Sequence, residues 1–238
     1  MARDIFVLTK KIILLSGPSC VGKTPLIESF KRTHPYTHFG RPVLWTSRLP
    51  RPFEKEGVDY FFHNESEIRA LPEDRFIVAK TRHVWQAIDL DELEHLCADF
   101  DLIIYDIHPL LVQRLLAHER ATRLQAGIRR VFLQPATIEE LEKLARLLGD
   151  VSLSEAAVSI MSPKLTLRAQ QQGIELDDAA VQDISIRAAA AWKEIEMGQS
   201  YEHIIINHDG EDCANWKENP PRGEAGRTLR EFVRIVNL

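Results

Sequence analysis

Short apolar runs separated by amphipathic segments mark out most of the chain. The run from Ile12 to Ser16 is almost wholly apolar and leads into a Gly-Pro turn. A short apolar run without alternation is typical of a strand that is buried on both faces of a parallel sheet. A helix is predicted from Gly22 to Arg32. Pro25 is compatible with this helix because it falls in the first turn, where a missing backbone N–H does no harm.

The same alternation of strands and helices continues to the end of the chain. Further strands are predicted over Val43–Thr46, Tyr60–His63, Phe76–Ala79, Leu102–Asp106, Arg130–Leu133 and His203–Ile206, and helices over Glu65–Ala70, Asp89–Ala98, Pro109–Ala117, Ile138–Leu148, Asp178–Met197 and Thr228–Val236. This order favours an α/β fold with a mainly parallel central sheet. No repeat or sharp change of composition divides the chain, so we expect a single domain over residues 1–238.

Two segments do not fit this alternation of strands and helices. Residues 149–176 mix Ser, Gln, one Pro and Gly with weak periodicity, and we interpret them as a mobile lid or an insertion. Residues 208–222 are polar and are predicted to form a loop.

The composition narrows the function. Hydrophobic residues make up 45% of the 238 residues, enough for a substantial core, and the formal charge of −5 gives no support for binding a nucleic acid polymer. Three widely spaced cysteines, Cys20, Cys97 and Cys213, form neither a disulfide framework nor a zinc motif, which fits the cytoplasm. The N-terminus does not resemble a signal peptide, and no apolar run reaches the length of a membrane span.

A phosphate-binding loop follows the first strand. The segment from residue 17 to 24 matches G-x-x-x-x-G-K-[ST], and its members are predicted to bind ATP: Gly17, Pro18, Ser19, Cys20, Val21, Gly22, Lys23 and Thr24. The glycines let the backbone curl so that its N–H groups point at phosphate oxygens, and the helix N-terminus adds partial positive charge. The surrounding strand and helix are the context that this motif requires.

The loop also supplies candidates for catalysis and metal binding. Lys23 is predicted to reach the β- and γ-phosphates, and the Thr24 hydroxyl to bind Mg²⁺. Asp106, at the end of Leu-Ile-Ile-Tyr-Asp, is the natural second magnesium ligand, although it could equally be an N-cap or a strand-end acid. ATP and Mg²⁺ are therefore the expected cofactors.

A second motif suggests a family. Thr46-Ser47-Arg48-Leu49-Pro50-Arg51 is followed by Glu54 and by Gly57-Val58-Asp59-Tyr60-Phe61-Phe62. Together with the phosphate loop, this spacing resembles the guanylate kinase pattern T-T-R-x-P-R-x-x-E-x-x-G-x-D-Y-x-F. The resemblance implies a three-layer fold of the P-loop NTPase type. The expected core covers about 11–33, 100–148 and 203–238, the acceptor-binding excursion about 34–99, and the helical lid about 149–186.

The resemblance also assigns roles. It implies that Arg48, Arg51 and Tyr60 grip the phosphate of the acceptor, and guanidinium forks with a phenol are good phosphate donors on chemical grounds alone. It implies catalytic lid arginines, for which Arg187 and Arg146 are the candidates. Arg168 is either a third lid arginine or a surface charge. Asn207 resembles an asparagine near the adenine of ATP, although a turn residue would also fit.

The positions that read guanine in this family differ here. Leu44 stands where a serine is usual, and the run Phe76-Ile77-Val78-Ala79 lacks the usual glutamate. Trp85-Gln86-Ala87 replaces Y-G-[ST], and His108 replaces an acid. A site built to hydrogen-bond a base loses much of its selectivity when those partners go.

The sequence therefore predicts an enzyme that transfers phosphate from ATP to a phosphate-bearing small molecule. GMP, dGMP or another nucleoside monophosphate is the first expectation, and a sugar phosphate is the alternative. A non-catalytic ATP-binding regulatory or scaffold module stays open, as do a monomer and a homodimer.

Overall fold

The computed structural model describes residues 10–51, 54–124 and 127–237. The first nine residues, on which the expectation about a signal peptide rests, lie outside this part.

A parallel sheet forms the centre of the described chain. Its strands run in the order β6-β1-β7-β8, with β1 at Lys11–Ser16, β6 at Leu102–Asp106, β7 at Ile128–Gln134 and β8 at His203–Ile206. The predicted α/β fold with a mainly parallel sheet is confirmed. Parallel neighbours bring the carboxyl ends of the strands to one edge, so the residues after β1 and β6 lie side by side.

Alternate residues of β1 point into two hydrophobic clusters. Ile12 and Leu14 join one cluster with α4 (Pro109–Ala117) and α5 (Ile138–Leu147). Ile13 and Leu15 join the other with α1 (Lys23–Thr33) and α8 (Gly223–Asn237). Helices therefore cover both faces of the sheet, which gives the predicted three layers and explains why the four residues from Ile12 to Leu15 are all apolar.

A second, mixed sheet carries the region from residue 44 to 89. Its strand order is β3-β2-β5-β4, with β2 at Leu44–Thr46, β3 at Tyr60–Phe62, β4 at Phe76–Thr81 and β5 at Val84–Asp89, and it is flanked by α2 (Glu65–Arg69) and α3 (Leu90–Asp99). The sequence prediction missed β5. The turn before it contains Arg82 and His83 rather than the usual Gly or Asn, although Arg82 adopts a left-handed φ of 55°.

Two long helices pack together over the cavity between the sheets. They are α6 (Leu153–Gln171) and α7 (Asp178–Gly198). Helix α6 occupies most of residues 149–176, the segment interpreted as a lid or an insertion, despite Pro163. Ala156 packs in the cluster that contains Ile12 and Leu14, whereas Met161 packs with Cys20 and Ala188. Burial on more than one side removes the single apolar stripe that marks an amphipathic helix.

Among the helices of the described residues, none combines the length and apolarity needed to span a membrane.

A buried ion pair ties the β4–β5 hairpin to α7. Arg82 donates to Glu194 from Nε at 2.7 Å and from Nη2 at 2.8 Å, and His108 Nε2 lies 3.3 Å from the same carboxylate. The Glu194 side chain is only 2% exposed. Burial alone would raise the pKa of Glu194, but the charge of Arg82 and the hydrogen bonds from His108 and Arg82 outweigh it and lower that pKa to about 2.

This pair predicts an acid-sensitive part of the stability. The ordinary pKa of Glu194 is 4.5, so the lowered pKa stabilises the fold fully above that pH, and the contribution is lost as the pH falls toward 2. We expect the free energy of unfolding of the wild type to fall by about 3 kcal/mol across this range relative to an Arg82→Met/Glu194→Met double variant. Urea unfolding of both proteins at several pH values measures this. A difference that does not change with pH would contradict it.

Candidate functional site

The phosphate-binding loop lies at the carboxyl edge of the central sheet, between β1 and α1. Gly17 and Gly22 have φ angles of 150° and 104°. A Cβ at Gly17 would lie 2.4 Å from the Leu133 carbonyl oxygen, and one at Gly22 would lie 2.5 Å from Asn207 Nδ2. Neither position has room for a side chain, so the glycines are required by packing as well as by backbone conformation.

Lys23 is held inside the loop. Its Nζ donates to the carbonyl oxygens of Gly17 at 2.9 Å and Pro18 at 3.1 Å, and lies 4.0 Å from Asp106 Oδ1. Thr24 and Asp106 line the same cavity. Burial raises the pKa of Asp106, and the charges of Lys23 and Arg41 offset this only in part. A hydroxyl and a carboxylate beside a phosphate site are the hard oxygen donors that Mg²⁺ prefers, so this pair fits the ion.

The acceptor motif forms the opposite wall of this cavity. Arg48 makes two hydrogen bonds to Glu54, of 2.6 and 2.7 Å, and its guanidinium lies 4.5 Å from the centre of the Tyr60 ring. The backbone N–H of Arg51 donates to the same carboxylate at 2.8 Å. Glu54 therefore fixes the guanidinium of Arg48 and the backbone at Arg51. Its place in the motif was noted from the sequence, but its role becomes visible only in the structure.

Positive charge accumulates around Arg51. Burial lowers the pKa of Arg51 to about 10, and the charges of Arg187 and Arg48 act in the same direction. Arg168 adds to the effect. We call these residues, Arg48, Arg51, Arg168 and Arg187, the arginine cluster. Such a concentration of like charge suits a polyanion, which would relieve the repulsion when bound.

The lid helices bring two of these arginines to the phosphate-binding loop. Arg187 Nε donates to Ser19 Oγ at 3.2 Å, and its Nη1 pairs with Asp183 at 3.1 Å. Arg168 pairs with Glu211 at 2.7 Å and lies 3.7 Å from Cys20 Sγ. Arg168 is thus a cavity residue rather than a plain surface charge.

Arg146 is not brought to the site. It is exposed on α5 and is absent from the residues that line the cavity. The helix turns Leu141 and Ala145 toward the core, which leaves Arg146 on the solvent side. We therefore give it no catalytic role.

Asn207 lies behind the phosphate-binding loop. It is fully buried, its Nδ2 donates to the Val21 carbonyl oxygen at 2.7 Å, and its backbone N–H donates to Gln134 at 2.8 Å. Thr228 Oγ1 donates to its Oδ1 at 3.4 Å. The structure therefore places Asn207 as a support for the loop, whereas the resemblance placed it near adenine.

Some of the positions at which this chain departs from the guanine-binding residues of the family pattern face the cavity, and others do not. Leu44 and His108 line it, whereas Val78 packs in a separate cluster on the other face of the hairpin. Trp85 also faces away, with its ring under the Arg69 guanidinium. Within the segment Trp85-Gln86-Ala87, which replaces Y-G-[ST], Gln86 is the residue that lines the cavity.

The phosphate-binding loop and the arginine cluster share one cavity of about 460 Å³. Arg82, Thr81 and Gln86 of the β4–β5 hairpin line it as well. Arg82 and Glu194 were missed by sequence reasoning because no local motif contains them. A positive φ at Arg82 is visible only in coordinates.

The buried position of Asn207 generates a prediction. Asn207→Ala removes the bond to Val21, so we expect weaker binding of both ATP and inorganic tripolyphosphate, by a similar factor of roughly 10. Calorimetric titration with both ligands measures this, and Asn237→Ala, at an exposed position of α8, is the control. If ATP binding alone weakens, the adenine contact is the correct role.

Comparisons with known proteins agree with this geometry. A family model described as guanylate kinase matches residues 9–184. A guanylate kinase of Synechococcus sp. (strain JA-3-3Ab) is 31% identical over 212 residues, which cover 85% of this chain and 78% of that protein. A guanylate kinase of Mycoplasma mobile is 28% identical, covering 88% and 90% of the two chains.

A solved structure shows the same fold. The crystal structure of guanylate kinase from Anaplasma phagocytophilum superimposes with a TM-score of 0.56 at 17% identity, covering 95% of this chain and 84% of the other. The sequence matches, together with the cavity that the phosphate-binding loop and the arginine cluster line, lead to one assignment. The chain belongs to the guanylate kinase family of phosphotransferases.

Proposed function

We propose that this protein transfers the γ-phosphate of magnesium-bound ATP to the phosphate group of a second small molecule, with GMP or another nucleoside monophosphate as the first candidate. One observation carries the proposal: the phosphate-binding loop and the arginine cluster line a single cavity. A hydrolase needs only the loop. A second anion site beside it suits transfer between two phosphates.

The donor side binds and orients ATP. The backbone N–H groups of the loop and Lys23 hold the β- and γ-phosphates, and Thr24 with Asp106 would hold Mg²⁺, which supplies charge neutralisation when bound. Phosphoryl transfer needs little covalent chemistry from the protein, so alignment and charge are its main contributions.

The acceptor side binds the second phosphate. Glu54 holds the Arg48 guanidinium and the backbone N–H of Arg51, so Arg48 loses little conformational freedom when it takes a phosphate. Arg187 lies between the two sides, in contact with Ser19 of the loop and close enough to Arg51 to lower its pKa. This position suits a group that neutralises the charge of the phosphoryl group in transit.

The named guanylate kinases among the relatives point to GMP as acceptor. Leu44 and His108 line the cavity where the family pattern leads us to expect a serine and an acid, and Gln86 lines it within the segment that replaces Y-G-[ST]. This favours a relaxed or different acceptor, including a sugar phosphate. A purely regulatory or scaffold role is less well supported, because Lys23 and Thr24 are present and in place. The free thiols of all three cysteines fit the cytoplasm as its location.

Steady-state kinetics test the proposal. We expect ADP release that depends on a phosphorylated acceptor. Lys23→Ala should lower kcat at least 100-fold, because charge neutralisation is the main catalytic contribution. Arg51→Ala should raise the KM of the acceptor by roughly 10- to 100-fold while the Kd of ATP stays unchanged.

Arg69→Ala, at an exposed position on α2, is the control for removing a surface arginine, and it should behave as the wild type. The proposal fails if no phosphorylated acceptor stimulates ADP release above the level of the Lys23→Ala variant.

A further inference from the structure

The hairpin between β4 and β5 closes the acceptor end of the cavity with hydrogen-bond donors. We call Thr81, Arg82 and Gln86 the hairpin wall; all three line the cavity. The segment from residue 81 to 86 contains no carboxylate, and Glu194 behind it is taken up by Arg82. The polar groups that remain decide what this wall can bind.

Arg82 is held with one end of its guanidinium free. Nε and Nη2 are both used by Glu194, whereas Nη1 makes no hydrogen bond to any residue that the structure describes. The side chain is 21% exposed, so this free end is accessible from the cavity. A left-handed backbone and a two-point ion pair together fix where Nη1 points.

Gln86 is oriented by Thr81. The Thr81 hydroxyl donates to Gln86 Oε1 at 2.7 Å, which leaves the amide NH₂ free to donate and one lone pair of Oε1 free. That NH₂ has no partner among the described residues. The wall therefore presents a second donor.

Two neighbouring polar groups are already engaged. Asp183 lines the same cavity, but its Oδ2 pairs with Arg187 at 3.1 Å and its Oδ1 lies 3.4 Å from His83 Nε2. His108 Nδ1 accepts from the backbone N–H of Leu110 at 3.1 Å, so the proton of the neutral ring lies on Nε2, which faces Glu194. Both ring nitrogens are thus occupied. Thr46, paired directly with Gln86 in the sheet, is fully buried, and its hydroxyl has no partner within the described ranges. A buried polar group without a partner is rare in native structures.

We propose that Arg82 and Gln86 recognise oxygens that only accept hydrogen bonds, at the end of the acceptor remote from its reacting phosphate. This rests on the proposed function and adds the specificity of the acceptor. Guanine offers one such oxygen, but Arg82 Nη1 can only donate, so it cannot pair with the guanine N1–H or 2-amino group, which are donors too. Unpaired polar groups of this kind cost selectivity.

Charge decides between two sources of such oxygens. Glu194 compensates the charge of Arg82, so the hairpin wall carries little net charge. That favours the neutral carbonyl groups of a base over a second phosphate group, although both would accept from Nη1 and from the Gln86 NH₂.

A matched purine series tests the assignment. GMP, IMP and XMP differ at C2, which carries an amino group, a hydrogen or a carbonyl oxygen, and XMP also carries an ionisable hydrogen on N3. We expect kcat/KM and affinity to rise in the order GMP, IMP, XMP, with XMP at least 10-fold above GMP. UMP and ribose 1,5-bisphosphate are added to compare a pyrimidine carbonyl with a second phosphate, and preference for either over GMP supports the donor wall and names its source.

Variants assign the effect to the wall. Gln86→Glu puts an acceptor where a donor stood, so it should shift the preference toward GMP, and it leaves the Arg82–Glu194 pair intact. Arg82→Ala should remove the preference for XMP, but it leaves Glu194 buried without its partner and can cost stability. Lys80→Ala, on the exposed opposite face of the hairpin, is the control and should keep the wild-type order.

Binding and turnover are both measured, so that the two proposals fail separately. A preference for GMP in the wild type, or an order that neither Gln86→Glu nor Arg82→Ala changes, overturns the donor wall while turnover still supports the kinase. Tighter binding of XMP than of GMP with no turnover of any acceptor overturns the kinase and supports the wall. If none of the acceptors binds, both proposals are wrong.

Discussion

Mutual repulsion among the arginines around the cavity is the constraint on which this structure depends. Arg48, Arg51, Arg168 and Arg187 lie close enough that their charges lower the pKa of Arg51, and a fold must hold them there without a ligand. It does so with carboxylates from separate elements: Glu54 for Arg48, Glu211 for Arg168 and Asp183 for Arg187. Each partner occupies one side of a guanidinium and fixes its direction, so the cluster is ready for phosphate before any phosphate arrives.

A carboxylate also holds an arginine at the end of the cavity, but there the pair is almost neutral and one guanidinium nitrogen stays free. Glu194 is almost completely buried and binds Arg82 at two points, which neutralises the charge but leaves one nitrogen free. The phosphate walls therefore select by charge, whereas the hairpin wall selects by hydrogen-bond direction.

Much of the fold and of both phosphate sites could be predicted because the signals are local. The loop from Gly17 to Thr24 lies between a buried strand and a helix, and Arg48 and Arg51 stand in one continuous motif. What was missed depends on distant contacts or on the face of a strand. Arg82 and Glu194 are 112 residues apart, and the choice between Trp85 and Gln86 is a matter of one residue in strand alternation. Arg146 and Asn207 were placed by resemblance, and only packing shows that one faces solvent and the other supports the loop.

The central claim is that the two phosphate sites act on one another, and the fate of the γ-phosphate tests it most directly. Phosphorus NMR of the protein with ATP, Mg²⁺ and a mixture of GMP, XMP and UMP follows every phosphate at once. We predict that each ATP consumed yields one new diphosphate on an acceptor, with little orthophosphate. Orthophosphate as the product, at a rate that the acceptors do not change, would show that the cavity hydrolyses ATP and would contradict the account.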